Sequence, residues 1–427
     1  MRCFSYLLII FFAARCSGDV SKNDTVASVD TIVAPAGSET PDTIIQGIPF
    51  RVDEVRPDLK EVSVLRDSQT TLQLKIPRGY RISVAANKLN RLRFLSKAPD
   101  GRLFATDMYS LADNKKGRVL LFDGWNDSTL TFSSVKEYLT GLHNPNQVEF
   151  FGGYLYVAET GRLSRYKYVE GSDRAGSAPE VIATFPDYGL SYKYGGWHLT
   201  RSIAFHNNKL YVSVGSSCNA CVETEELRAV IVEMDPDGKN PVIFATGLRN
   251  SVGIGFIKGQ LWGTGMGRDL LGPDKPEDPF QRIERGFFYG WPYYFQYRDS
   301  IYTDPEFGAQ VPAGISKPPL ALTGFAAHSA PLGFEYLNGF EDTLVNDRVI
   351  VALHGSTTVS RKRGNEVVLV ADGKYHPFVT GFLQGTTEDA RLGRPCDVLM
   401  FDRNTIFITD DKYGTLYCLR YTPNWVR

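Results

Sequence analysis

Six copies of one short sequence pattern predict an all-β chain that folds as a six-bladed β-propeller. Each copy has one or two turn residues, then an alternating apolar strand, then small or acidic residues. The apolar strands of the six copies begin at Leu103, Leu155, Leu210, Leu261, Val349 and Ile406. Successive copies therefore lie 52, 55, 51, 88 and 57 residues apart, and a repeat of about 50 residues with a hairpin signal is typical of one four-stranded blade. The composition agrees, because the 22 Tyr and 26 Phe favour strands.

The step of 88 residues between the fourth and fifth copies is longer than one blade. It exceeds a blade by roughly 30 residues, so we expect an inserted loop between repeats four and five. Long loops in compact domains usually carry function, which makes this insertion a candidate wall of a binding site.

The first 16 residues have the pattern of a targeting signal. Arg2 supplies a positive charge, residues 6–14 are an apolar stretch too short to cross a bilayer, and Cys16 follows small residues. One interpretation is a lipoprotein signal with lipidation of Cys16, which would place an exported chain in the periplasm or make it an outer-membrane lipoprotein. Simple cleavage and secretion, and an uncleaved segment, are the other interpretations.

Residues 17–47 are rich in Ser, Thr, Asp, Ala and Pro and contain no aromatic residue, which predicts a disordered linker. The propeller is then expected over residues 48–427. The chain carries 47 Lys and Arg against 48 Asp and Glu, a formal net charge of -1. A general nucleic-acid binder needs a basic excess, so we expect no nucleic-acid partner.

Polar residues, often arginines, recur 9 to 12 positions before each repeated strand. They are Arg93, Asn146, Arg201, Arg249 with Asn250, and Arg394. Equivalent positions in successive blades meet around the propeller axis, so several guanidinium groups would surround one end of a channel. Such a cluster suits an anion with several carboxylates or phosphates. The alternative for each single arginine is that it caps a turn or pairs with an acid between blades.

A further set of short motifs follows this frame in order. The motifs are Gly195-Gly196-Trp197-His198, Val214-Gly215-Ser216, Thr246-Gly247-Leu248-Arg249-Asn250, Gly267-Arg268-Asp269-Leu270-Leu271-Gly272, Tyr289-Gly290-Trp291-Pro292, Ala327-His328-Ser329, His354-Gly355-Ser356, Gly393-Arg394-Pro395 and Thr409-Asp410-Asp411. From about residue 76 to 421 the chain resembles the pyrroloquinoline quinone (PQQ)-dependent glucose and sorbosone dehydrogenases, and the sorbosone-type branch more than the glucose enzyme. The family fold is a six-bladed propeller, which agrees with the repeat count.

The resemblance implies an exported quinoprotein dehydrogenase that transfers a hydride from a sugar or sugar aldehyde to PQQ with the assistance of calcium. A base must take the hydroxyl proton as the hydride leaves, and an imidazole, which titrates near neutrality, suits that task. The resemblance assigns this role to His198, whose other interpretation is a buried histidine bonded to a backbone carbonyl. Since the sequence holds no haem-binding motif, electrons would leave to a separate acceptor.

The resemblance also implies which residues bind the cofactors. Arg249 is implied as a catalytic residue that contacts the quinone oxygens, because its rigid fork suits two adjacent oxygens. The other residues implied to bind PQQ are Asn250, Arg394, Arg93 and Arg201. Calcium prefers hard oxygen ligands, and the loop residues Gly272, Pro273 and Asp274 are implied to supply them.

Two positions depart from the pattern of the glucose enzyme. Ser216 stands where an acidic residue orients the histidine, and His354 or Gly355 stands near the position of a lysine on the cofactor. These departures argue against glucose as the substrate. They leave open a non-catalytic propeller that binds a glycan or a protein, and a calcium-dependent hydrolase of the lactonase type, which would need carboxylates on the axis.

Four of the six cysteines lie outside the signal region. Cys218 and Cys221 form a C-x-x-C, whereas Cys396 and Cys418 lack that spacing, and 175 residues separate the two pairs. This arrangement disfavours a zinc site. In an exported protein we expect two disulfides, Cys218–Cys221 and Cys396–Cys418.

Overall fold

The computed structural model describes residues 47–187, 198–357 and 361–423. The expected signal sequence, nearly all of the expected linker, and the motif residues Gly195, Gly196 and Trp197 lie outside this part of the chain. The described residues contain strands, turns and short 3₁₀ segments but no α-helix. Accordingly, no helix among them is long and apolar enough to cross a bilayer.

Six antiparallel four-stranded sheets form the six blades. A hairpin of β1 (Leu59–Leu65) and β2 (Thr71–Pro77) comes first, followed by β3 (Tyr80–Ala86). Blade one is β4 (Leu92–Lys97), β5 (Leu103–Asp107), β6 (Gly117–Asn126) and β7 (Thr131–Leu142). Blade two is β8 (Gln147–Phe151), β9 (Tyr154–Ala158), β10 (Arg162–Lys167) and β11 (Glu180–Thr184). Blade three is β12 (Arg201–His206), β13 (Lys209–Val214), β14 (Val230–Met234) and β15 (Val242–Ala245).

Blade four contains the insertion. Its strands are β16 (Ile254–Ile257), β17 (Gln260–Thr264), β18 (Asp278–Ile283) and β21 (Thr323–Phe325), with the hairpin β19 (Tyr294–Tyr297) and β20 (Ser300–Thr303) between the last two. Blade five is β22 (Pro331–Tyr336), β23 (Val349–Leu353), β24 (Glu366–Ala371) and β25 (Lys374–Val379). The predicted long insertion is therefore confirmed, and it lies between the third and fourth strands of blade four.

The sixth blade joins the two ends of the chain. It consists of β26 (Pro395–Asp402), β27 (Thr405–Asp410) and β28 (Thr415–Tyr421), with β3 as its outer strand. The antiparallel register of β3 on β28 pairs Tyr80 with Tyr421 and Ala86 with Leu416. This pairing closes the ring, because a strand from the start of the propeller completes the blade at its end.

The six predicted strands are the second strands of the six blades, which confirms the fold class. Strand β5 shows why these strands are apolar on both faces. Leu103 and Ala105 pack into a cluster with Phe407 of blade six, whereas Phe104 packs into a cluster with Val157 of blade two. Successive side chains of a strand point to opposite faces of its sheet, so each blade contributes to the core on both sides.

Polar contacts near the axis join the inner strands of neighbouring blades. The hydroxyl of Thr106 donates to the carbonyl oxygen of Asn146 over 2.6 Å, from blade one to blade two. The hydroxyl of Thr409 donates to the carbonyl oxygen of Arg93 over 2.8 Å, from blade six to blade one. These bonds fix how neighbouring blades meet, and they hold the residues that precede each inner strand around one end of the axis.

The two expected disulfides have different outcomes. Cys218 and Cys221 are bonded, as predicted. The prediction of a Cys396–Cys418 disulfide is wrong, since both are free and buried. Cys396 packs with Phe94 near the axis, whereas Cys418 packs in the layer between blades one and six, so the two sulfur atoms belong to different parts of the core.

Candidate active site at one end of the propeller axis

Most of the candidate functional residues lie at one end of the propeller axis. The first strand of a blade begins where the second ends, as the pairs Arg201–Val214 and Pro395–Asp410 show. Residues just before a first strand and just after a second strand of every blade therefore share this end, which we call the mouth. The mouth brings together His198, Ser216, Arg249, Asn250, His328, His354, Arg394 and Asp411.

His198 lies before β12 and is held by the segment that follows β13. Its backbone φ of 50° is in the left-handed region. Its Nδ1 lies 3.0 Å from the carbonyl oxygen of Ser216 and 2.9 Å from the Ser216 hydroxyl, and that hydroxyl donates to the carbonyl of Cys218. Since a carbonyl only accepts, Nδ1 carries the proton, and the lone pair of the neutral ring is on Nε2.

The environment of His198 keeps its imidazole neutral. Burial, followed by the charge of Arg249, lowers the pKa of His198 well below 6.5, and the bond to the Ser216 carbonyl opposes the shift only in part. A neutral ring near pH 7 can accept a proton at Nε2, which is the state that a general base requires.

Gly215 brings His198 and Asn250 together. A Cβ atom at this position would lie 2.5 Å from the Cβ of His198 and 2.7 Å from the Oδ1 of Asn250. Real Cβ atoms do not approach other atoms this closely, so only glycine allows both side chains to pack against the end of β13. The predicted base and a predicted cofactor contact therefore share one wall of the mouth.

Arg249 lies in the same wall and bonds to neutral oxygens. Its Nε donates to the carbonyl of Asn219 over 2.8 Å, its Nη2 to the Asn219 Oδ1 over 2.9 Å, and its Nη1 to the Met266 carbonyl over 3.4 Å. Burial lowers its pKa to about 10, against the opposite effect of Asp269 and Asp278. The guanidinium therefore stays charged near neutral pH.

The opposite wall is a cluster around the fully buried carboxylate of Asp411. This carboxylate accepts hydrogen bonds from Arg91 Nη1 over 2.7 Å, from Arg93 Nη1 over 2.8 Å and from His354 Nε2 over 2.7 Å. Burial and the neighbouring Arg394 lower the pKa of His354 to about 3, so His354 is neutral. Arg91 and Arg93 bond to the Asp411 carboxylate and Arg394 lies near it, so three guanidinium groups surround this one side chain.

The arginines predicted to surround one end of the axis make different hydrogen bonds. The guanidinium of Arg394, which is partly exposed, donates to the carbonyls of His354 and Gly355 over 3.1 and 2.7 Å. Arg93 is 4% exposed, and its other nitrogens bond to the Oδ1 of Asn146 over 3.0 and 3.1 Å. Arg91, which sequence analysis missed, is 21% exposed at the mouth. The signal for Arg91 was a second arginine two residues before Arg93, directly before β4.

Arg201 supports the backbone of the histidine segment. It is 1% exposed, and it donates to the carbonyls of His198 over 2.8 Å, Thr200 over 2.9 Å and Pro186 over 2.6 Å. Its described bonds therefore go to main-chain oxygens, and they hold the turn on which His198 sits.

The predicted metal residues lie on an exposed loop after β17. The carbonyl of Gly272 accepts from His328 Nε2 over 3.1 Å, and the carboxylate of Asp274 pairs with Arg363 over 2.7 Å. His328 Nδ1 lies 3.1 Å from the carboxylate of Asp269 in the same loop. The ligand atoms that this loop could offer to a metal are carbonyl and carboxylate oxygens, the type that a hard cation such as calcium prefers.

The buried Asp278 anchors that loop. Its carboxylate accepts the N–H of Gly267 and the N–H of Ala330, both over 2.8 Å. One bond fixes the start of the loop in blade four, and the other ties it to the start of blade five. Asp278 is the first residue of β18, so it lies where the loop joins blade four.

A cleft beside Arg249 is too small for a large ligand. It lies between blade four and the hairpin β19–β20, and Met266, Tyr289 and Trp291 are among its lining residues. Its volume is about 80 Å³, below the roughly 300–1,000 Å³ of typical ligand pockets. The mouth, with its charges and its histidine, is therefore the candidate site.

Comparison with solved structures shows that several of them share the fold of this chain. The holo PQQ domain of pyranose dehydrogenase from Coprinopsis cinerea has a TM-score of 0.65 and 17% identity, over 84% of this chain and 98% of that one. The calcium structure of an enzyme of Carbohydrate-Active Enzymes Family AA12 from Trichoderma reesei has a TM-score of 0.67 and 17% identity, over 84% and 100%. The apo form of the soluble aldose sugar dehydrogenase from Escherichia coli has a TM-score of 0.57 and 15% identity, over 80% and 99%.

Comparison of sequences adds one relative. A protein of Borreliella burgdorferi, described as uncharacterized, is 25% identical over 378 residues, which is 83% of this chain and 92% of that protein. No family model matches the chain.

Proposed function

We propose that this chain is a PQQ-dependent dehydrogenase of the glucose/sorbosone dehydrogenase family, of the sorbosone-type branch, that oxidises a sugar or a sugar aldehyde. The observation that carries the proposal is the composition of the mouth. One wall holds a neutral histidine and a charged arginine, and the other holds the guanidinium groups of Arg91, Arg93 and Arg394 around Asp411. The ordered motifs and the shared fold with PQQ-containing propellers support it.

His198 acts on the substrate hydroxyl. When bound, PQQ supplies the hydride acceptor, and the carbon that loses the hydride must also lose its hydroxyl proton. His198 accepts that proton at Nε2, because its Nδ1 proton is held by Ser216. Ser216 thus fixes the ring orientation that an acidic residue fixes in the glucose enzyme, without adding a charge.

The two walls would bind different parts of the anionic cofactor. Arg394 and Arg91 would hold its carboxylates, since guanidinium groups match carboxylates in shape and charge. Arg249 and Asn250 would hold its quinone oxygens. Asp411 fixes Arg91, Arg93 and His354 through hydrogen bonds. The loop oxygens of Gly272, Pro273 and Asp274 would hold calcium, which would offset negative charge that develops during the reaction.

The proposal extends to the location of the protein. A lipidated Cys16 would tether an exported propeller in the periplasm or at the outer membrane, and the linker of residues 17–47 would space it from the bilayer. The Cys218–Cys221 disulfide supports an oxidising compartment. A separate electron acceptor must then reoxidise the cofactor.

Reconstitution tests this function. Purified chain lacking residues 1–16 is mixed with PQQ and calcium, and reduction of an artificial dye is followed with a panel of aldoses and sugar aldehydes. We expect dye reduction that requires both the quinone and a sugar. Lactone hydrolysis without dye reduction would instead indicate the hydrolase, and glycan binding without either reaction would indicate a non-catalytic propeller.

A further inference from the structure

A four-residue loop closed by a disulfide lies against the wall of the mouth that carries Arg249. The loop comprises residues 218–221 and follows β13, and we call it the disulfide loop. Its second residue, Asn219, is bonded on both its backbone and its side chain. The bonds join its carbonyl to Arg249 Nε and Trp291 Nε1, its Oδ1 to Arg249 Nη2 and the Asp269 N–H, and its Nδ2 to the Asp269 carbonyl.

The bonds from Asn219 orient Arg249 without neutralising it. Two parallel N–H groups of the guanidinium meet the carbonyl and Oδ1 of the same asparagine, over 2.8 and 2.9 Å. Both oxygens are neutral, whereas a carboxylate in this place would pair with the positive charge. The described bonds engage three of the five N–H groups of a guanidinium, and two have no partner among the described residues.

Asn219 also fixes the start of the loop that carries Gly272. Its side chain accepts the N–H of Asp269 over 2.8 Å and donates to the Asp269 carbonyl over 3.2 Å, so both backbone groups of one loop residue are bonded to one amide. The disulfide loop also connects to His198. The carbonyl of Cys218 accepts from the Ser216 hydroxyl, which is in hydrogen-bond contact with His198 Nδ1. The disulfide loop therefore touches all three parts of the proposed site.

We propose that Asn219 is the positioning residue for Arg249, with the Cys218–Cys221 disulfide holding it in place. This inference rests on the proposed function for the identity of the ligand, an anionic quinone. Asn219 sets the direction of the guanidinium and leaves its charge for the ligand. Fixing a charged donor before the ligand arrives lowers the cost of ordering it on binding.

The test compares three variants with the wild type in PQQ affinity with calcium, in amide hydrogen exchange over residues 216–219 and 266–272, and in melting temperature. Asn219→Ala removes the Oδ1 and Nδ2 atoms. Asn219→Asp keeps oxygen acceptors for Arg249 and for the Asp269 N–H but adds a negative charge. Asn126→Ala is the matched control, since its Oδ1 also accepts two hydrogen bonds, here from the backbone N–H groups of Ser128 and Thr129 on the outer hairpin of blade one.

We expect PQQ to bind roughly tenfold more weakly to Asn219→Ala, which is typical of one lost bond to a charged group, with faster exchange at Asp269 and a melting temperature close to that of Asn126→Ala. Asn219→Asp should restore slow exchange but not PQQ affinity, because it neutralises Arg249. If the role of Asn219 were purely structural, Asn219→Asp would restore both slow exchange and PQQ affinity, or it would restore neither.

Equal PQQ affinity in Asn219→Ala and the wild type would overturn the inference, as would full recovery of affinity in Asn219→Asp. If the wild type binds no PQQ, the proposed function fails. Hydrogen exchange by itself then tests whether Asn219 positions Arg249. Faster exchange at Asp269 and at Ser216, whose N–H bonds to the Arg249 carbonyl over 2.8 Å, would retain its positioning role, and unchanged exchange would overturn it.

Discussion

The Nδ1 atom of His198 lies 3.0 Å from the carbonyl oxygen and 2.9 Å from the hydroxyl oxygen of the same residue, Ser216. The carbonyl fixes the tautomer, and the hydroxyl fixes the ring against the disulfide loop through its bond to Cys218. An acidic residue in this place would do both and would also favour the imidazolium. The serine therefore favours the imidazolium less than a carboxylate would, and burial and Arg249 keep the ring neutral.

The first prediction concerns the pH dependence of turnover. The pKa of His198 lies well below 6.5 because burial and Arg249 disfavour the charged ring, so the base stays competent as the pH falls through 6.5. Ser216→Asp should raise that pKa, because a neighbouring carboxylate stabilises the imidazolium. The fall of kcat/KM at acidic pH should then begin at a higher pH in Ser216→Asp than in the wild type.

Ser216→Ala is the control for Ser216→Asp, because the alanine variant keeps the backbone carbonyl that holds His198 Nδ1 and removes only the hydroxyl. Its rate should drop by a few fold, about the effect of one neutral hydrogen bond, with the acidic limb unmoved. Identical pH profiles for Ser216→Asp and the wild type would contradict the role of this residue.

The second prediction concerns Gly215. Gly215→Ala places a methyl group where His198 and Asn250 now pack, so both side chains must shift. Overpacking of this kind costs about 1–3 kcal/mol, and we expect turnover to fall at least tenfold while the protein stays folded. Gly255→Ala is the matched inner-strand control, because its added Cβ meets only the Phe334 ring at 3.3 Å. Turnover of Gly215→Ala equal to that of Gly255→Ala would contradict this packing.

The fold could be predicted because the second strand of each blade is buried on both faces, so a short apolar run recurs along the sequence. The hairpin β1–β2 was missed although Leu72, Leu74 and Ile76 of β2 alternate with exposed residues and are fully buried against blades five and six. This hairpin occurs once, so a search for repeats does not find it. The pairing of β3 with β28 was also invisible, because nothing local in either strand specifies a partner at the other end of the chain.

The candidate site could be predicted in position but not in its use of arginines. The family resemblance implied His198 as the base, and repeat spacing put Arg249 and Arg394 at one end of the axis. It could not show that Arg93, rather than Arg91, bonds to Asn146 as well as to Asp411, since that acid is 318 residues away in sequence. Arg201 bonds to the backbone carbonyls of His198, Thr200 and Pro186, and repeat spacing does not show whether an arginine side chain turns toward neighbouring backbone or toward the axis.

The third prediction concerns Arg249. Arg249→Ala should weaken PQQ binding and slow turnover by on the order of 10²-fold, because the lost guanidinium faces charge that develops on the quinone oxygens. Arg162→Ala is the matched control, an arginine of blade two whose Nε bonds to Glu159 over 2.6 Å. Affinity and turnover should stay near wild-type values in that control. Equal losses in the two variants would refute the assignment of Arg249.

The fourth prediction concerns three carboxyl groups in a cavity of about 230 Å³ at the other end of the axis. Burial raises the pKa of Glu149 and of Asp397 to about 7, and that of Glu335 to about 8. The folded state therefore binds more protons than the unfolded state between about pH 4 and 8, and these groups lower the stability as the pH rises through that window.

Glu335→Gln removes one of these titrations and keeps an oxygen acceptor for the Met400 N–H. We expect the variant to melt at a higher temperature than the wild type at pH 9, and at a similar temperature at pH 5. Equal melting temperatures of the two proteins at pH 9 would show that ionisation of Glu335 costs nothing in the folded state.

The most direct measurement is made on His198→Ala, with turnover, PQQ affinity and melting temperature determined on the same preparation. If His198 accepts the substrate proton, turnover should fall by roughly 10²–10⁴-fold while PQQ affinity and melting temperature stay close to those of the wild type. A folded, quinone-loaded His198→Ala protein with normal turnover would contradict the proposed site.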